Sequence, residues 1–460
     1  MLCYTERIMR QRLEDYLKRK ERELGRKLNV TLLGYGSTNH AALEILQNIE
    51  GVRVTVRQVN KTNLRLPARI ELISGDKAFD DIDEDVILPS PSVRRESLKI
   101  PNESNFITDL DLLIASHPKR LFSISGSDGK STTVALTSMI LSDVFPELFT
   151  GGNFGIPLFS ANASSEAFLL ELSSFTLRYT APSFGRAALT NVTPNHLDWH
   201  ADLREYIECK LNLVRACDEP ILVLDDEVSE KAVGALACFC LVSVRQTRKQ
   251  ILSRYKTEHT VTVEMGYILV DGQKVVAISE VRRSEDHNIL NLCVAIAMSI
   301  GYFDKDNVCR VARSFNGLSE RCEIFTKDGV EYVCSSIDTT PRRTKTTLDG
   351  LGRRVRLILG GRGKGLPLDP LKNVLIKYAE RIAVYGEIRD EMAEYLSSIP
   401  ELSRIPTEGF PTLDKAIDYA TEGVTPGETV VLSPAATSYG EFQNFTERGR
   451  FFRNHVMKNR

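Results

Sequence analysis

A short stretch with two glycines, Gly126-Ser127-Asp128-Gly129-Lys130-Ser131-Thr132, contains the residue types that bind the phosphates of a nucleotide. In such a loop at the start of a helix, backbone N–H groups point at phosphate oxygens, the lysine adds a positive charge, and the next hydroxyl can bind Mg²⁺. Two residues separate the glycines here, whereas four separate them in the general P-loop. Because an apolar run at 121–124 precedes the loop and a helical pattern at 132–141 follows it, the sequence predicts a phosphate site rather than a plain strand-to-helix turn.

Two side chains that follow neighbouring apolar runs could bind a metal ion beside this loop. Glu171 lies near the end of the run 167–172, and His196 follows the run 187–192. Because the carboxyl ends of parallel strands meet at one edge of a sheet, both side chains are expected near the phosphate loop. Carboxylate and imidazole groups suit a magnesium site in which phosphates supply the remaining charge. Taken singly, Glu171 is better explained as a paired strand-end acid and His196 as a capping or core histidine, but together they favour a metal site.

The strand and helix patterns predict an α/β fold in three domains that positions these residues. A Rossmann-like first domain, 1–112, has a βαβ unit around the imperfect dinucleotide fingerprint Gly34-x-Gly36-x-x-Asn39 and an additional helix at 5–27. A central P-loop ATPase-like domain, 113–314, alternates strands and helices, which predicts a mostly parallel sheet with β-hairpins near 261–281. A third α/β pattern, again Rossmann-like, extends over 315–460.

Composition excludes several other classes of protein. The net charge of −2 over 460 residues lacks the basic excess that non-specific nucleic-acid binding requires. No window approaches the roughly 18 consecutive apolar residues of a membrane span, and the charged stretch at 7–27 is unlike a secretory signal. The nine cysteines lack the spacing of zinc ligands or of a redox motif. We therefore expect a cytoplasmic monomer with reduced thiols and without nucleic-acid or membrane partners.

These stretches, in this order, resemble the Mur ligase family of ATP-dependent amide-forming enzymes of peptidoglycan precursor synthesis, and the resemblance covers essentially the whole chain after residue 28. The most specific segments are Leu170-Glu171-Leu172-Ser173-Ser174-Phe175, Leu432-Ser433-Pro434-Ala435-Ala436-Thr437-Ser438 and Asn444-Phe445-x-x-Arg448-Gly449. They are most similar to the members that add D-glutamate to UDP-N-acetylmuramoyl-L-alanine. The resemblance implies a UDP-substrate-binding first domain, an ATP-binding central domain and an amino-acid-binding third domain, with ATP and two Mg²⁺ ions as cofactors.

The resemblance also implies roles for individual residues. Lys130 would hold the β- and γ-phosphates of ATP and would be catalytic together with His196 and Lys210, a lysine that is carbamylated in the family. The residues implied for ATP binding are Gly126, Ser127, Asp128, Gly129, Lys130, Ser131, Thr132, Asn288, Asn291 and Arg321. Those implied for the two magnesium ions are Ser131, Glu171, His196 and carbamylated Lys210. Those implied for the substrates are Asn153 and Ser173 on the muramoyl side, and Thr339, Lys364, Ser438 and Phe445 on the amino-acid side.

The sequence also departs from the pattern of the D-glutamate-adding members at several positions. Thr176 replaces a glutamine, Glu320 a histidine and Ser92 a glycine, while the stretch 335–340 replaces an Asp-Ser-Lys-Ala-Thr-Asn pattern and leaves Asp338 as the candidate for a ribose-binding aspartate. Two alternatives therefore stay open. One is a ligase of the same family with a different amino acid or acceptor, of the muramyl-peptide or folylpolyglutamate type. The other is a catalytically silent nucleotide-binding relative.

Overall fold

A computed structural model of the chain has two compact units, Met1–Ser314 and Phe315–Arg460. The structure describes residues 8–59, 66–94, 98, 105–153, 156–161, 165–197, 199–317, 323–363, 366–438, 440–442 and 444–458. The first unit contains a four-stranded and a nine-stranded sheet, and the second unit contains a six-stranded sheet. Parallel strands predominate in all three sheets, so the predicted α/β fold class is confirmed. The predicted domain boundary at 112 falls inside the first unit and stays a prediction.

The four-stranded sheet has the strand order β3-β2-β1-β4, and all its pairs are parallel. Its elements are α1 (Ile8–Leu24), β1 (Leu28–Leu33), α2 (Ser37–Leu46), β2 (Val52–Gln58), β3 (Glu71–Ser74), β4 (Val86–Pro89) and α3 (Asp109–Ala115). Asn39 is fully buried, and its side-chain amide donates hydrogen bonds to the carbonyls of Leu33, Gly34 and Leu88. The residue that makes the dinucleotide fingerprint imperfect therefore joins β1 to β4.

The predicted N-terminal helix is present as α1 and has a defined packing side. Met9, Leu13 and Leu17 recur at helical spacing and are buried, while most of the remaining residues of α1 are at least partly exposed. The helix contacts α3 and β1, and the backbone N–H of Ile8 donates to the carbonyl of Ala161. This helix is therefore part of the core of the first unit.

The nine-stranded sheet has the order β13-β12-β11-β10-β9-β8-β5-β7-β6. Its strands are β5 (Leu121–Ser125), β6 (Leu148–Gly152), β7 (Ala167–Glu171), β8 (Arg186–Leu189), β9 (Glu219–Val223), β10 (Cys238–Ser243), β11 (Thr257–Glu264), β12 (Tyr267–Val270) and β13 (Gln273–Ala277). Its helices are α4 (Lys130–Leu141), α5 (Ser174–Leu177), α6 (Leu203–Ala216), α7 (Glu227–Val233), α8 (Arg248–Arg254), α9 (Asp286–Met298) and α10 (Lys305–Ser314). The strands from β5 to β11 pair in parallel, and β11 to β13 form the predicted hairpins.

The second unit is a six-stranded sheet with the order β14-β15-β19-β16-β17-β18, in which only the pair of β14 and β15 is antiparallel among the described strands. Its strands are β14 (Glu323–Lys327), β15 (Val330–Cys334), β16 (Val355–Gly360), β17 (Ala379–Tyr385), β18 (Thr407–Phe410) and β19 (Thr429–Ala435). Its helices are α11 (Pro341–Leu351), α12 (Lys372–Tyr378), α13 (Arg389–Ser397), α14 (Leu413–Thr421) and α15 (Phe445–Lys458). Apolar side chains on both faces of the sheet pack under these helices.

Two expectations from composition can be compared with the structure. In the described part of the chain, none of the helices combines the length and the apolar character that crossing a membrane would take. The seven described cysteines are free, and all but Cys217 are buried.

Candidate active site

The predicted phosphate loop connects β5 to α4 at the carboxyl edge of the nine-stranded sheet. Gly126 and Gly129 have φ angles of 152° and 78°, which residues other than glycine rarely adopt. A Cβ atom at Gly126 would overlap Thr190 Oγ1, and a Cβ atom at Gly129 would overlap Asn291 Oδ1. Both glycines are therefore required by backbone conformation and by close packing. The helix that the loop opens begins at Lys130, so the loop lies at the positive end of the helix dipole.

Two lysines meet at one carbonyl group of this loop. Lys130 Nζ donates hydrogen bonds to the carbonyl oxygens of Gly126 and Ser127 at 2.9 and 2.8 Å, and Lys210 Nζ donates to the same Gly126 oxygen at 2.6 Å. Lys210 is 2% exposed. Burial lowers the pKa of Lys210 well below its usual value, and the charge of Lys130 lowers that pKa further. The loop therefore has the positive charge of Lys130 where phosphate groups would bind, while burial favours the neutral amine at Lys210.

Tyr206 is a residue of this site that the sequence analysis missed. Its hydroxyl lies 2.7 Å from Ser127 Oγ, and Lys210 Nζ lies 4.9 Å from the centre of its ring. Burial raises the pKa of Tyr206 to about 12, so the hydroxyl stays protonated at neutral pH. Tyr206 and Lys210 are four residues apart on α6 and hence share one face of the helix, a spacing that could have identified Tyr206.

The segment after β8 supports the loop from the other side. Thr190 Oγ1 donates to the carbonyl of Asp128 at 2.7 Å, and Asn191 Oδ1 accepts from the Asp128 N–H at 2.8 Å. Ser127 Oγ donates to the Thr193 carbonyl at 2.9 Å and lies 2.8 Å from the Thr193 nitrogen. Side chains that are more than 60 positions away in the chain therefore hold the loop in place.

Glu171 ends β7 beside β5, where it pairs in register with Ile124. Its side chain is 2% exposed, and its Oε1 accepts a hydrogen bond from Asn153 Nδ2 at 2.7 Å. Among the residues that the structure describes, Glu171 Oε2 is buried without a hydrogen-bond partner. An unpartnered buried carboxylate oxygen is costly, and a cation removes that cost. Glu171 therefore has the environment of a metal ligand.

The residues near the loop can be compared with the usual coordination of a magnesium ion. No group of three or more His, Cys, Asp or Glu side chains converges within the described ranges. Mg²⁺ is usually bound by one or two carboxylates together with substrate phosphates, and Glu171 with its unpartnered oxygen fits such an ion. Ser131, the second residue of α4, lies in the same loop-to-helix segment.

His196 lies in the segment after β8, with a positive φ angle of 53° and an exposed side chain. Its ring centre is 5.0 Å from that of Phe175. The nearby His200 is different, because it is buried and its Nε2 lies 2.9 Å from Ser174 Oγ. Burial lowers the pKa of His200 to about 4, and the charge of His196 adds to this effect. His200 is therefore a neutral packing residue, whereas His196 keeps the accessibility that a ligand needs.

A cavity of about 160 Å³ in the first unit extends from the four-stranded sheet to Glu171. Its lining residues are Gly36, Ser37, Thr38, Ser90, Pro91, Asp109, Leu110, Gly152, Asn153, Leu158, Leu170, Glu171, Leu172 and Thr176. Asn153 lines this cavity and its amide also holds Glu171, and its contact with a muramoyl group stays a prediction. Ser173 is close to the cavity as the N-cap of α5, and its Oγ accepts from the Thr176 N–H.

The residues predicted on the adenine side occupy two different environments. Asn291 is buried beside the phosphate loop, and its Oδ1 accepts a hydrogen bond from Thr133 Oγ1 at 3.3 Å. Asn288 donates from Nδ2 to Glu285 Oε2 at 2.9 Å near the start of α9. Arg321, predicted for ATP, and Glu320 lie outside the described residues. Asn291 thus supports the loop from α9, and its direct contact with adenine stays a prediction.

In the second unit, two of the residues predicted for the amino acid, Thr339 and Ser438, lie on the segments that follow β15 and β19. Thr339 is half-buried, Ser438 is buried, and the carbonyl of Phe445 accepts from Ser336 Oγ at 2.8 Å. Lys364 lies outside the described residues.

Arg448 connects these segments from inside the second unit. It is 0% exposed and donates to the carbonyls of Ser336 and Ala436 at 2.7 and 3.1 Å. It thereby fixes the segment after β15 to the end of β19.

The surroundings of Asp338 do not suit the ribose-binding role that its position in the sequence suggested. The side chain is 5% exposed, and its Oδ2 accepts hydrogen bonds from Thr347 Oγ1 and Ser433 Oγ at 2.6 and 2.7 Å. A ribose needs a carboxylate that it can reach. Asp338 instead connects the middle of α11 to β19 in the interior.

Comparison with known proteins identifies the family of this chain. A family model of the Mur ligase middle domain matches residues 124–299. The chain is 31% identical over 456 residues to the UDP-N-acetylmuramoylalanine–D-glutamate ligase of Clostridium tetani (strain Massachusetts / E88), a match that covers 94% of this chain and 96% of that protein. The chain belongs to the Mur ligase family. A second relative with the same name, from Ruminiclostridium cellulolyticum, is 30% identical over 397 residues and covers 81% of this chain and 82% of its own.

Solved structures of Mur ligases share the fold. MurF from Acinetobacter baumannii has a TM-score of 0.56 at 13% identity, with 93% of this chain and 91% of that chain covered. A pseudomurein peptide ligase type C from Methanothermus fervidus has a TM-score of 0.54 at 15% identity, with 94% and 99% covered. At these identities the likeness concerns the fold alone.

Proposed function

We propose that this Mur ligase forms an amide bond between D-glutamate and UDP-N-acetylmuramoyl-L-alanine at the expense of ATP. The full-length similarity to proteins named as D-glutamate ligases supports the choice of substrates. The reaction class rests on one observation. Lys130 and Lys210 both donate to the Gly126 carbonyl, and the loop that contains Gly126 lies next to a buried glutamate with an unpartnered oxygen. This arrangement suits transfer of a phosphoryl group, which depends mainly on positioning and charge neutralisation.

The chemistry needs two steps because hydroxide is a poor leaving group from a carboxylate. In the first step, a carboxylate oxygen of the alanyl group attacks the γ-phosphorus of ATP, ADP leaves, and an acyl phosphate forms. In the second step, the amine of D-glutamate attacks the acyl carbon, phosphate leaves, and the amine loses a proton. Lys130 neutralises charge on the transferred phosphoryl group, and the glycine loop orients it. Because acyl phosphates hydrolyse readily, water must be excluded from the site.

We assign the metal and lysine chemistry as follows. Ser131, Glu171 and His196 would hold two magnesium ions, which supply charge neutralisation to the phosphates of bound ATP. Lys210 would react in its neutral form with carbon dioxide, forming an N–C bond and releasing one proton, and the resulting carbamate would be an additional anionic ligand. Burial of Lys210 supports this assignment, because it favours the neutral amine.

The remaining assignments concern substrate binding. The four-stranded sheet would bind the UDP moiety, and Asn153 and Ser173 the muramoyl side. Thr339, Lys364, Ser438 and Phe445 would bind D-glutamate, since a lysine and hydroxyl groups suit its side-chain carboxylate. Asn288, Asn291 and Arg321 would complete the ATP site. We further propose that the protein acts as a monomer in the cytoplasm.

The proposal is tested by measuring ADP release with UDP-N-acetylmuramoyl-L-alanine and a panel of D- and L-amino acids. We expect release with D-glutamate and little with the other amino acids. Release with another amino acid would identify a different member of the family, and release with a reduced folate and L-glutamate would identify a folylpolyglutamate-type enzyme. A protein that releases no ADP with any of these pairs would be a silent relative.

Replacing Lys130 tests the proposed phosphate site itself. Lys130→Ala should lower the rate of ADP release at least about 100-fold, because the charge of Lys130 acts on the transferred phosphoryl group. Lys119→Ala, at an exposed position before β5, is the control and should keep the wild-type rate. Undiminished turnover in Lys130→Ala would exclude this loop as the catalytic phosphate site.

A further inference from the structure

Asp109 is a carboxyl group that the proposed reaction does not use, yet it lines the same cavity as Asn153 and Glu171. It is the first residue of α3, and its Oδ1 accepts a hydrogen bond from the backbone N–H of Leu110 at 2.8 Å. Asp111, two residues later, has a structural role instead. Thr108 and Thr180 donate hydrogen bonds to its two carboxylate oxygens. Asp109 is therefore the acid of this helix that is available to a ligand in the cavity.

The charge of the cavity limits what Asp109 can bind. Among the described residues that line the cavity, Asp109 and Glu171 are the ionisable ones, and no lysine, arginine or histidine contributes. A bound metal ion would compensate Glu171, but no described group of opposite charge in the lining compensates Asp109. A carboxylate repels a diphosphate and attracts groups that donate hydrogen bonds. Asp109 therefore suits the hydroxyl and amide N–H groups of a ligand rather than its phosphates.

Poor solvation of the Asp109 carboxylate strengthens its preference for ligand groups that donate hydrogen bonds. Burial raises the pKa of Asp109 to about 6; the hydrogen bond from Leu110 opposes the shift, and the charge of Asp111 adds to it. At the pH of a cytoplasm the group is still mostly ionised, but water solvates it poorly. A partly buried acceptor of this kind gains more from a ligand donor than a fully exposed acceptor does.

We propose that Asp109 is a specificity-determining residue that accepts a hydrogen bond from a hydroxyl or amide N–H in the sugar-peptide part of the nucleotide substrate. The proposal rests on the proposed function, because that function supplies a substrate with a glycosyl-peptide group attached to a diphosphate. Asn153 and Thr176, which line the same cavity, face this part of the substrate together with Asp109. The residue selects the sugar-peptide and contributes nothing to holding UDP.

The experiment measures, by calorimetry, the binding of two ligands to the full-length chain: UDP-N-acetylmuramoyl-L-alanine and UDP. Asp109→Ala should weaken binding of the sugar nucleotide about tenfold or more and change UDP binding less than about twofold, because a hydrogen bond to a charged acceptor is lost. Asp109→Asn keeps the shape and one acceptor oxygen and should recover part of the loss. Asp111→Asn is the matched control: it weakens the N-terminal cap of α3 and should lower the melting temperature without changing the ratio of the two affinities.

Three outcomes would overturn the proposal. Equal weakening of both ligands by Asp109→Ala would show displacement of α3 rather than loss of a selective contact. Unchanged binding of the sugar nucleotide would show that Asp109 makes no contact with it. The same selective loss in Asp111→Asn would assign the effect to the helix cap. Failure of the proposed function is distinguishable, because wild-type protein that binds the sugar nucleotide but forms no ADP would contradict the reaction while the binding comparison still decides the role of Asp109.

Discussion

At the scale of single residues, the contact between Asn153 and Glu171 changes the interpretation of both. The resemblance implied a substrate contact for Asn153, and the structure shows that its amide also holds one oxygen of the glutamate while the other oxygen is left without a described partner. A group that orients a metal ligand is often nearly as important as the ligand. Asn153 therefore holds Glu171 in place, and its contact with the substrate stays a prediction.

This geometry predicts a magnesium phenotype. Asn153→Ala should raise the Mg²⁺ concentration needed for half-maximal ADP formation about tenfold, because Glu171 loses the hydrogen bond that orients it. A magnesium titration of ADP release, together with binding of Mn²⁺ followed by electron paramagnetic resonance, measures the effect. Asn212→Ala removes an amide hydrogen bond from α6 to the Leu177 carbonyl of α5 and should leave the titration unchanged. A higher KM for the muramoyl substrate with an unaltered magnesium requirement would restrict Asn153 to substrate binding.

At the scale of elements, Arg448 on α15 holds together segments that follow two strands of the six-stranded sheet. Its guanidinium donates to Ser336 Oγ and to the carbonyls of Ser336 and Ala436, and its described partners are neutral oxygens. A buried cation with neutral partners contributes through the geometry of its fork and the hydrogen bonds that it completes. The segments that carry Thr339 and Ser438 therefore depend on one residue of α15.

Replacement of this arginine should destabilise the second unit. Arg448→Met should lower the free energy of unfolding by about 2–4 kcal/mol, because several buried oxygens lose their donor while no equivalent partner replaces it. Urea unfolding of the full-length chain measures the change. The control Arg450→Met lies two residues later at an exposed position and should change stability by less than about 0.5 kcal/mol. Equal stability of the two variants would show that the Arg448 network contributes little.

At the scale of the whole molecule, the second unit has its own hydrophobic core. The two apolar clusters on the faces of its sheet consist only of residues from 324 onward, so the described contacts of these clusters need nothing from the first unit. A fragment of residues 315–460 is therefore expected to fold alone and to unfold cooperatively, since it has the size and core of an independent domain. Thermal unfolding followed by near-ultraviolet circular dichroism is the test. Loss of the near-ultraviolet signal with retained helix content would indicate a molten state and contradict the expectation.

The sequence by itself determined the local features. The glycines, lysine and hydroxyl of the phosphate loop are consecutive, and the alternation of apolar strands with helices depends on short-range periodicity, so both could be predicted without a structure. Even Tyr206 could have been found, because helical spacing places it beside Lys210.

Only the tertiary structure decided which distant groups meet. Lys130 and Lys210 donate to one carbonyl although they are 80 positions apart. Asn153 contacts Glu171 across neighbouring strands, and Asp109 lines the same cavity as these two residues. Asp338 lies in the interior. The physical reason is that strand order, register and side-chain packing set these contacts, and none of these is encoded in the spacing of residues along one segment.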